Sequence, residues 1–448
     1  MPSPRRRIAA VPSLSHPPMF SRRQAIRAGL FGVAGLSMPD LLRLQASESS
    51  DPTKHDTAVI FVFQSGGASQ FETWDPKPNS PIDIRGEFNP IRTNVPDMQF
   101  SEMMVEQSCI ADKLVVIRSL YHPSEQHSSS VHLIKTGYYC KPPATDNEMP
   151  SAGACAARIR GAVSPNVPPF VVLGGEHYDG ASHLGRGFNP FTVKNSDEKP
   201  MLHIPNLTLV EGISGDQLHD RHRLLQSFDR TRELHDSKSG GAALGEFQRQ
   251  AMELVTGPAA RKAFNLDAEP LKLRDRYGRN YLGDRFVLAR RLVEHGVRFV
   301  TVGTFDWDHH GTLWNRMRRD VPAFDRALAT LITDIHERGL AERVLVVVMG
   351  EFGRTPRISS LGTNPPGRDH WGNVMSILLS GGGFPGGQVV GASDAVGGVP
   401  AKSPYRVECT LALMYRHLGI DPATTFNDHT GRPRDLLSVR EKIRELEG

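Results

Sequence analysis

Only four cysteines occur in the chain, Cys109, Cys140, Cys155 and Cys409, and no two of them stand as C-x-x-C. A zinc ribbon and a thioredoxin-type redox centre are therefore excluded. Cys140 and Cys155 form a candidate bridge in an oxidising compartment, with buried free thiols as the alternative. Long apolar runs are missing as well: Ala25–Leu36 is moderately apolar and too short to span a bilayer as a permanent helix. The first Gly-rich turn lacks the G-x-G-x-x-G spacing of a dinucleotide site, and the Gly381–Gly387 run lacks the Lys-Ser/Thr of a phosphate loop. It reads instead as a hairpin turn. An excess of one charge is also absent from the body of the chain. The formal net charge is +4, but residues 1–43 hold seven arginines against one aspartate, leaving 46 basic and 48 acidic residues elsewhere. A near-neutral body argues against a nucleic-acid groove or a polybasic membrane patch. No internal repeat and no sharp linker divides the sequence.

What is present suits a soluble α/β protein. Hydrophobic residues make up 39% and charged residues 23% of a chain of 448, enough for one large domain or two ordinary ones. At the start, Ser21-Arg22-Arg23 precedes the short apolar run, a pattern that resembles the twin-arginine export signal. The expected organisation is a leader over 1–46, processed near Ala46, then a single α/β domain over 55–440 in a periplasmic or secreted protein. Export in the folded state is typical of proteins that load a metal or cofactor first.

Strands are predicted at Thr57–Phe63, Leu114–Ile117, Pro169–Leu173, Arg298–Val302, Val344–Met349 and Met375–Leu379 from their β-branched and aromatic content. The Val344–Met349 run is unbroken and reads as buried on both faces of a sheet. Helical periodicity covers much of 214–295, Asp320–Arg338 and Tyr405–Leu418. Another helix follows Tyr121, with Pro123 and Ser124 at its start and Thr136-Gly137 at its end. In open α/β sheets, ligands bind beyond the carboxyl ends of strands, so the segments leaving these strands are the candidate site. After Val302 come Asp306, Asp308, His309 and His310, a carboxylate and imidazole set suited to zinc, manganese or iron. An extended loop points Asp308 and His310 the same way; a helical turn does so for Asp306 and His310. After Met349 come Glu351 and Arg354, and the loop closes on Arg368, Asp369 and His370.

Several segments together resemble a family of secreted bacterial proteins known as domain of unknown function fifteen-oh-one. They are the twin-arginine leader, Gln64–Ala68 with Trp74–Pro78, Trp307–Gly311, Glu351–Pro356, Gly367–Trp371, the Gly-Gly-Gly loop and Gly431-Arg432-Pro433. That family is grouped with the alkaline phosphatase and sulfatase superfamily. The resemblance implies a doubly wound, mostly parallel sheet with helices on both faces, and metal-dependent hydrolysis of phosphate or sulfate esters. It implies a metal, zinc first with calcium or manganese as alternatives, on Asp306 or Asp308, His310 and His370. Ser128 is then the nucleophile or His127 a base, with Glu351 alongside, and Arg354 and Arg368 hold the anion. The partner is a small anionic ester or a sulfated or phosphorylated glycan, with no nucleic acid and no stable membrane span. The chain departs from the superfamily at its second metal. Gln64 and Ser65 stand where an Asp is needed, and Glu351-Phe352 stand where an Asp-His pair is needed. A non-catalytic protein that binds an anionic or glycan ligand on the same scaffold is the competing expectation.

Overall fold

The computed structural model describes residues 56–141, 146–164, 166–175, 177–194, 257–359 and 365–448. They belong to one compact unit, Thr53–Gly448. The leader and the predicted helical stretch 214–256 lie outside the described residues.

The strands of the central sheet are β1 (Ala58–Phe63), β2 (Val115–Tyr121), β3 (Phe170–Leu173), β4 (Phe191–Val193), β5 (Phe299–Gly303), β6 (Val344–Met349), β7 (Met375–Gly381), β8 (Gln388–Val390) and β9 (Tyr405–Arg406). Their order is β8-β2-β7-β6-β1-β5-β3-β4, with β9 also paired to β2. All described strand pairs of this sheet are parallel except those of β7, which runs against β2 and β6. The continuous apolar runs are explained by burial on both sides. In β1, Ile60 and Val62 enter one hydrophobic core while Val59, Phe61 and Phe63 enter the other. In β6, Val344, Val346 and Val348 face the first core and Leu345, Val347 and Met349 the second. Side chains alternate along a strand, so a run facing two cores has no polar phase.

Helices cover both faces. α1 (His127–Thr136), α2 (Ala152–Arg160) and α5 (Glu408–His417) pack on one side, and α3 (Tyr281–Glu294) and α4 (Leu313–Glu337) on the other. Ser151 caps α2 by accepting from the Ala154 amide, and Asn280 caps α3 by accepting from the amides of Leu282 and Gly283. The architecture is therefore the expected α/β one, a mostly parallel sheet between two helical layers. Among the described residues, no helix is long and apolar enough to cross a membrane.

Four local expectations change. α1 begins at His127 rather than at Pro123 or Ser124; the Ser124 hydroxyl instead accepts from Ser130 Oγ inside the helix. α4 begins at Leu313, ahead of Asp320, because Leu313, Trp314, Met317, Val321 and Phe324 form one continuous buried stripe that carries the helix past Pro322. Tyr405 and Arg406 pair with Leu120 and Tyr121 instead of opening α5. The Gly381–Gly387 segment is no hairpin: β7 and β8 lie on opposite sides of β2, and the glycines let the chain cross the start of that strand, where the Gly387 amide binds the Leu114 carbonyl.

Candidate metal centre

Every segment expected to carry chemistry leaves the same edge of the sheet. β1, β2, β3, β5 and β6 end there, and antiparallel β7 begins there, just after His370 and Trp371. A cleft of about 350 Å³ opens at this edge, lined by Ser65, Gly66, His127, Ser128, His177, Tyr178, Asp306, Asp308 and Glu351 among others.

Asp308 lies at its centre. Its Oδ1 accepts from Arg354 at 2.6 Å and meets His310 Nε2 at 3.0 Å and His370 Nε2 at 3.1 Å, and its Oδ2 lies 3.4 Å from His127 Nε2. Burial opposes its ionisation, but the hydrogen bonds from His127 and Arg354, with the Arg354 charge, outweigh burial and hold the carboxyl well below the usual range. The 304–312 segment is not helical, and it brings Asp308 and His310 to one side, with Oδ1 and Nε2 3.0 Å apart. Asp306, the alternative ligand, is turned elsewhere: Oδ2 pairs with Arg316 at 2.9 Å and Oδ1 accepts the Asp308 amide. A metal role for Asp306 is therefore corrected to one of shaping the loop at the cleft wall.

The two histidines expected as ligands, His310 and His370, come together. Their Nε2 atoms stand 2.9 Å apart. His370 Nδ1 lies 2.8 Å from the Glu125 carbonyl oxygen, which can only accept, so this nitrogen carries the proton. His310 Nδ1 is held 2.7 Å from an Asp369 carboxylate oxygen in the same sense. In their neutral forms both rings therefore turn an unprotonated Nε2 toward each other and toward a carboxylate. Apart from the Arg354 N–H on Asp308 Oδ1, the three converging atoms then carry no proton between them, a donor set suited to a cation. A carboxylate or carbonyl behind each imidazole is also the usual support of a metal-bound histidine. The donor set fits a divalent metal.

His127, the first residue of α1, faces the same carboxylate. Its Nδ1 is 2.6 Å from Glu351 Oε1, and its ring meets that of His370 at 4.3 Å between centroids. Hydrogen bonds to Asp308 and then Glu351 push its pKa up to about 9, against the effect of burial. Glu351 itself is buried, and its two oxygens accept the Gly66 amide at 2.9 and 3.1 Å. Glu351 lines the cleft with its oxygens already engaged by the Gly66 amide and by His127, so its carboxylate acts here as a support for His127. Ser128 lines the cleft beside His127, and its side chain is hydrogen-bonded to the Tyr178 hydroxyl.

The two arginines expected to grip an anion do something else. Arg368 is fully buried, and its guanidinium binds Glu72 at 2.8 Å and the carbonyls of Thr355, Pro356 and Ile84. Arg354 is 1% exposed and binds the carbonyls of Gly66, Gly67, Trp307 and Arg368 as well as Asp308. Every N–H group of Arg368 is engaged, and the Nε and Nη2 donors of Arg354 are engaged as well, with the side chain buried among the strand-end loops. Both knit the strand-end loops together, and Arg354 also fixes the Asp308 carboxylate. Sequence reasoning assigned no role to His177 and Tyr178, which line the wall opposite; their position directly after β3 was the available signal. His122 is buried, and its Nε2 holds the Glu351 carbonyl at 2.6 Å.

A family model described as "Protein of unknown function (DUF1501)" matches residues 56–446. The chain belongs to this family. No curated protein matches it in sequence. Among solved structures, this DUF1501 protein is similar to the PsFucS1 sulfatase from Pseudoalteromonas sp., with 10% identity, a TM-score of 0.36, and coverage of 88% of this chain and 72% of that one. It is also similar to the alkaline phosphatase from the Antarctic bacterium TAB5, with 11% identity, a TM-score of 0.34, and coverage of 81% and 98%. A third is BT4656 in complex with its substrate D-glucosamine-2-N,6-O-disulfate, at 10% identity, a TM-score of 0.32 and coverage of 82% and 77%.

Proposed function

We propose that the cleft holds one divalent metal, zinc before manganese or calcium, on Asp308, His310 and His370, and hydrolyses a phosphate or sulfate ester of a small molecule or glycan. The twin-arginine pattern of the leader adds that this happens outside the cytoplasm. The observation that carries the reading is the pair of imidazoles whose Nδ1 atoms are tied to acceptors while their Nε2 atoms converge on one carboxylate. A bound divalent ion supplies a Lewis acid that polarises an ester oxygen. The chain supplies the rest. Arg354 keeps Asp308 ionised and in place. Ser128, in the first turn of α1, is the attacking hydroxyl in this reading. No side chain caps that turn, so its amides and the helix dipole are available to an anionic group.

Elemental analysis of the purified protein beside Asp308→Ala and His370→Ala, with turnover of p-nitrophenyl phosphate and p-nitrophenyl sulfate, tests it. One metal per chain is expected in the wild type and none in either variant. Ser128→Ala is expected to keep the metal and lose at least about a hundredfold in turnover. A metal-free wild type would sink the proposal.

A second reading is favoured by a separate observation. Gln64 and Ser65 offer no carboxylate at the end of β1, and Glu351 turns its carboxylate onto the Gly66 amide, so the second metal position of the superfamily pattern is not built. In that reading the same cleft binds an anionic or glycan ligand without turnover. A wild type that carries metal yet hydrolyses neither ester selects it.

A further inference from the structure

We infer that His127 is a fourth protein ligand of the metal, so that the centre is built of three imidazoles and one carboxylate and takes a borderline transition metal in preference to calcium or magnesium. This deepens the proposed metal centre and rests on it.

The three histidines are equivalent in one respect that the sequence hides. Each comes from a different segment: His127 from the start of α1, His310 from the loop after β5, and His370 from the short strand before β7. Each has its Nδ1 fixed by an oxygen on yet another segment. For His127 it is Glu351 at 2.6 Å, for His310 Asp369 at 2.7 Å, and for His370 the Glu125 carbonyl at 2.8 Å. Each then presents Nε2 to the Asp308 carboxylate, at 3.4, 3.0 and 3.1 Å respectively. Ligand atoms of His127, Asp308 and His370 all lie within 4.8 Å of one another.

The His127 ring cannot turn away cheaply. Turning it would strip Glu351, which is buried, of its imidazole partner, and the ring is backed by Phe352 at 5.1 Å between centroids. Such a lock suits a metal ligand, because the supporting acceptor fixes both ring orientation and which nitrogen faces the metal.

Three imidazole nitrogens and one carboxylate are a poor shell for hard ions. Calcium takes six to eight oxygens and magnesium a nearly ideal octahedron of them, whereas zinc and its neighbours accept nitrogen readily. Four protein ligands also complete a tetrahedral shell, and zinc can accept a fifth group, so an ester or anion oxygen enters without displacing a side chain. His127 is thereby removed from the role of general base.

The test is a zinc titration of the metal-stripped full chain against a chromophoric chelator, with calcium run in parallel. Wild type, His127→Ala, His310→Ala and His370→Ala are compared, and a thermal melt verifies that each is folded. His127→Ala is expected to weaken zinc binding at least about a hundredfold, as do the other two, since loss of a ligand should exceed the 10–100-fold typical of a supporting group. Calcium is expected not to compete. The cobalt-substituted wild type offers a reading without mutation: three strongly shifted, exchangeable imidazole N–H proton resonances are expected. Two such resonances, or unchanged zinc affinity in His127→Ala while the other variants lose it, would overturn the inference and leave the three-ligand centre standing. Calcium binding as tight as zinc would overturn the selectivity. A wild type that binds neither ion would overturn both the inference and the centre beneath it.

Discussion

Arg354 and Arg368 show how much a single side chain depends on its surroundings for meaning. In the sequence they are cations in a Gly- and Pro-rich loop, which fits anion recognition. In the fold, Arg368 meets Glu72 and three carbonyls in a site without solvent, stacked 4.1 Å over the Phe71 ring. Removing it leaves a buried Glu72 uncompensated, and an uncompensated buried charge is expensive. Arg368→Ala is accordingly expected to lower stability by about 3–5 kcal/mol, read as a lower urea midpoint. If it binds anion instead, stability changes little and only ligand affinity falls. Arg354→Lys keeps the charge but loses the planar fork that spans the Gly67 and Arg368 carbonyls and Asp308. It is expected to fold less stably and to retain metal poorly in a dialysis assay; full metal retention would deny Arg354 its hold on Asp308.

At the scale of the element, the turn after β1 decides where the site can form. Gly66 has φ +97, in the region favoured by glycine, and a Cβ there would lie 2.5 Å from the Asp308 amide nitrogen and 2.8 Å from Asp306 Oδ1. Its own amide is the donor that holds Glu351. Gly66→Ala is therefore expected to push the Asp308 loop away while adding backbone strain of about 1–3 kcal/mol. The measurable outcome is a clear loss of metal affinity together with a lowered melting temperature. Wild-type affinity in Gly66→Ala would mean that the two loops are not packed as tightly as this. The sequence already marked a Gly-rich turn here. Which group approaches was not legible, because Glu351 and Asp308 are hundreds of residues away along the chain.

For the whole molecule, the parallel sheet gathers the ends of five strands and the start of β7 at one edge, and burial sorts the remaining groups. The described cysteines are all free: Cys109 is exposed, and Cys140, Cys155 and Cys409 are buried. Cys140 Sγ lies 3.5 Å from the Ser128 carbonyl, and Cys155 Sγ lies 4.0 Å from the Pro150 carbonyl, so each has its own neighbour and they form no bridge. Burial pushes the Cys155 and Cys409 thiols up to about 12, and only the thiolate is reactive. Titration of the native protein with a thiol reagent at neutral pH is expected to consume one equivalent rapidly, at Cys109, and four after denaturation. Two equivalents after denaturation would instead indicate a bridge.

Much of the frame was readable from the sequence because its cause is local. A strand buried on both faces has to be an unbroken apolar run, so Ala58–Phe63 and Val344–Met349 declare themselves, and the Trp307–Gly311 and Gly367–Trp371 segments stand out by composition alone. The sequence by itself therefore determined the α/β class, the main strands and the segments that reach the cleft. Only the tertiary structure decided between Asp306 and Asp308, tied up both arginines, made Glu351 a support and brought His127 to the centre. The physical reason is that a side chain's role depends on which groups satisfy its hydrogen bonds and charge. Here those groups lie on segments remote in sequence, brought together only when the sheet closes its strand ends into one edge.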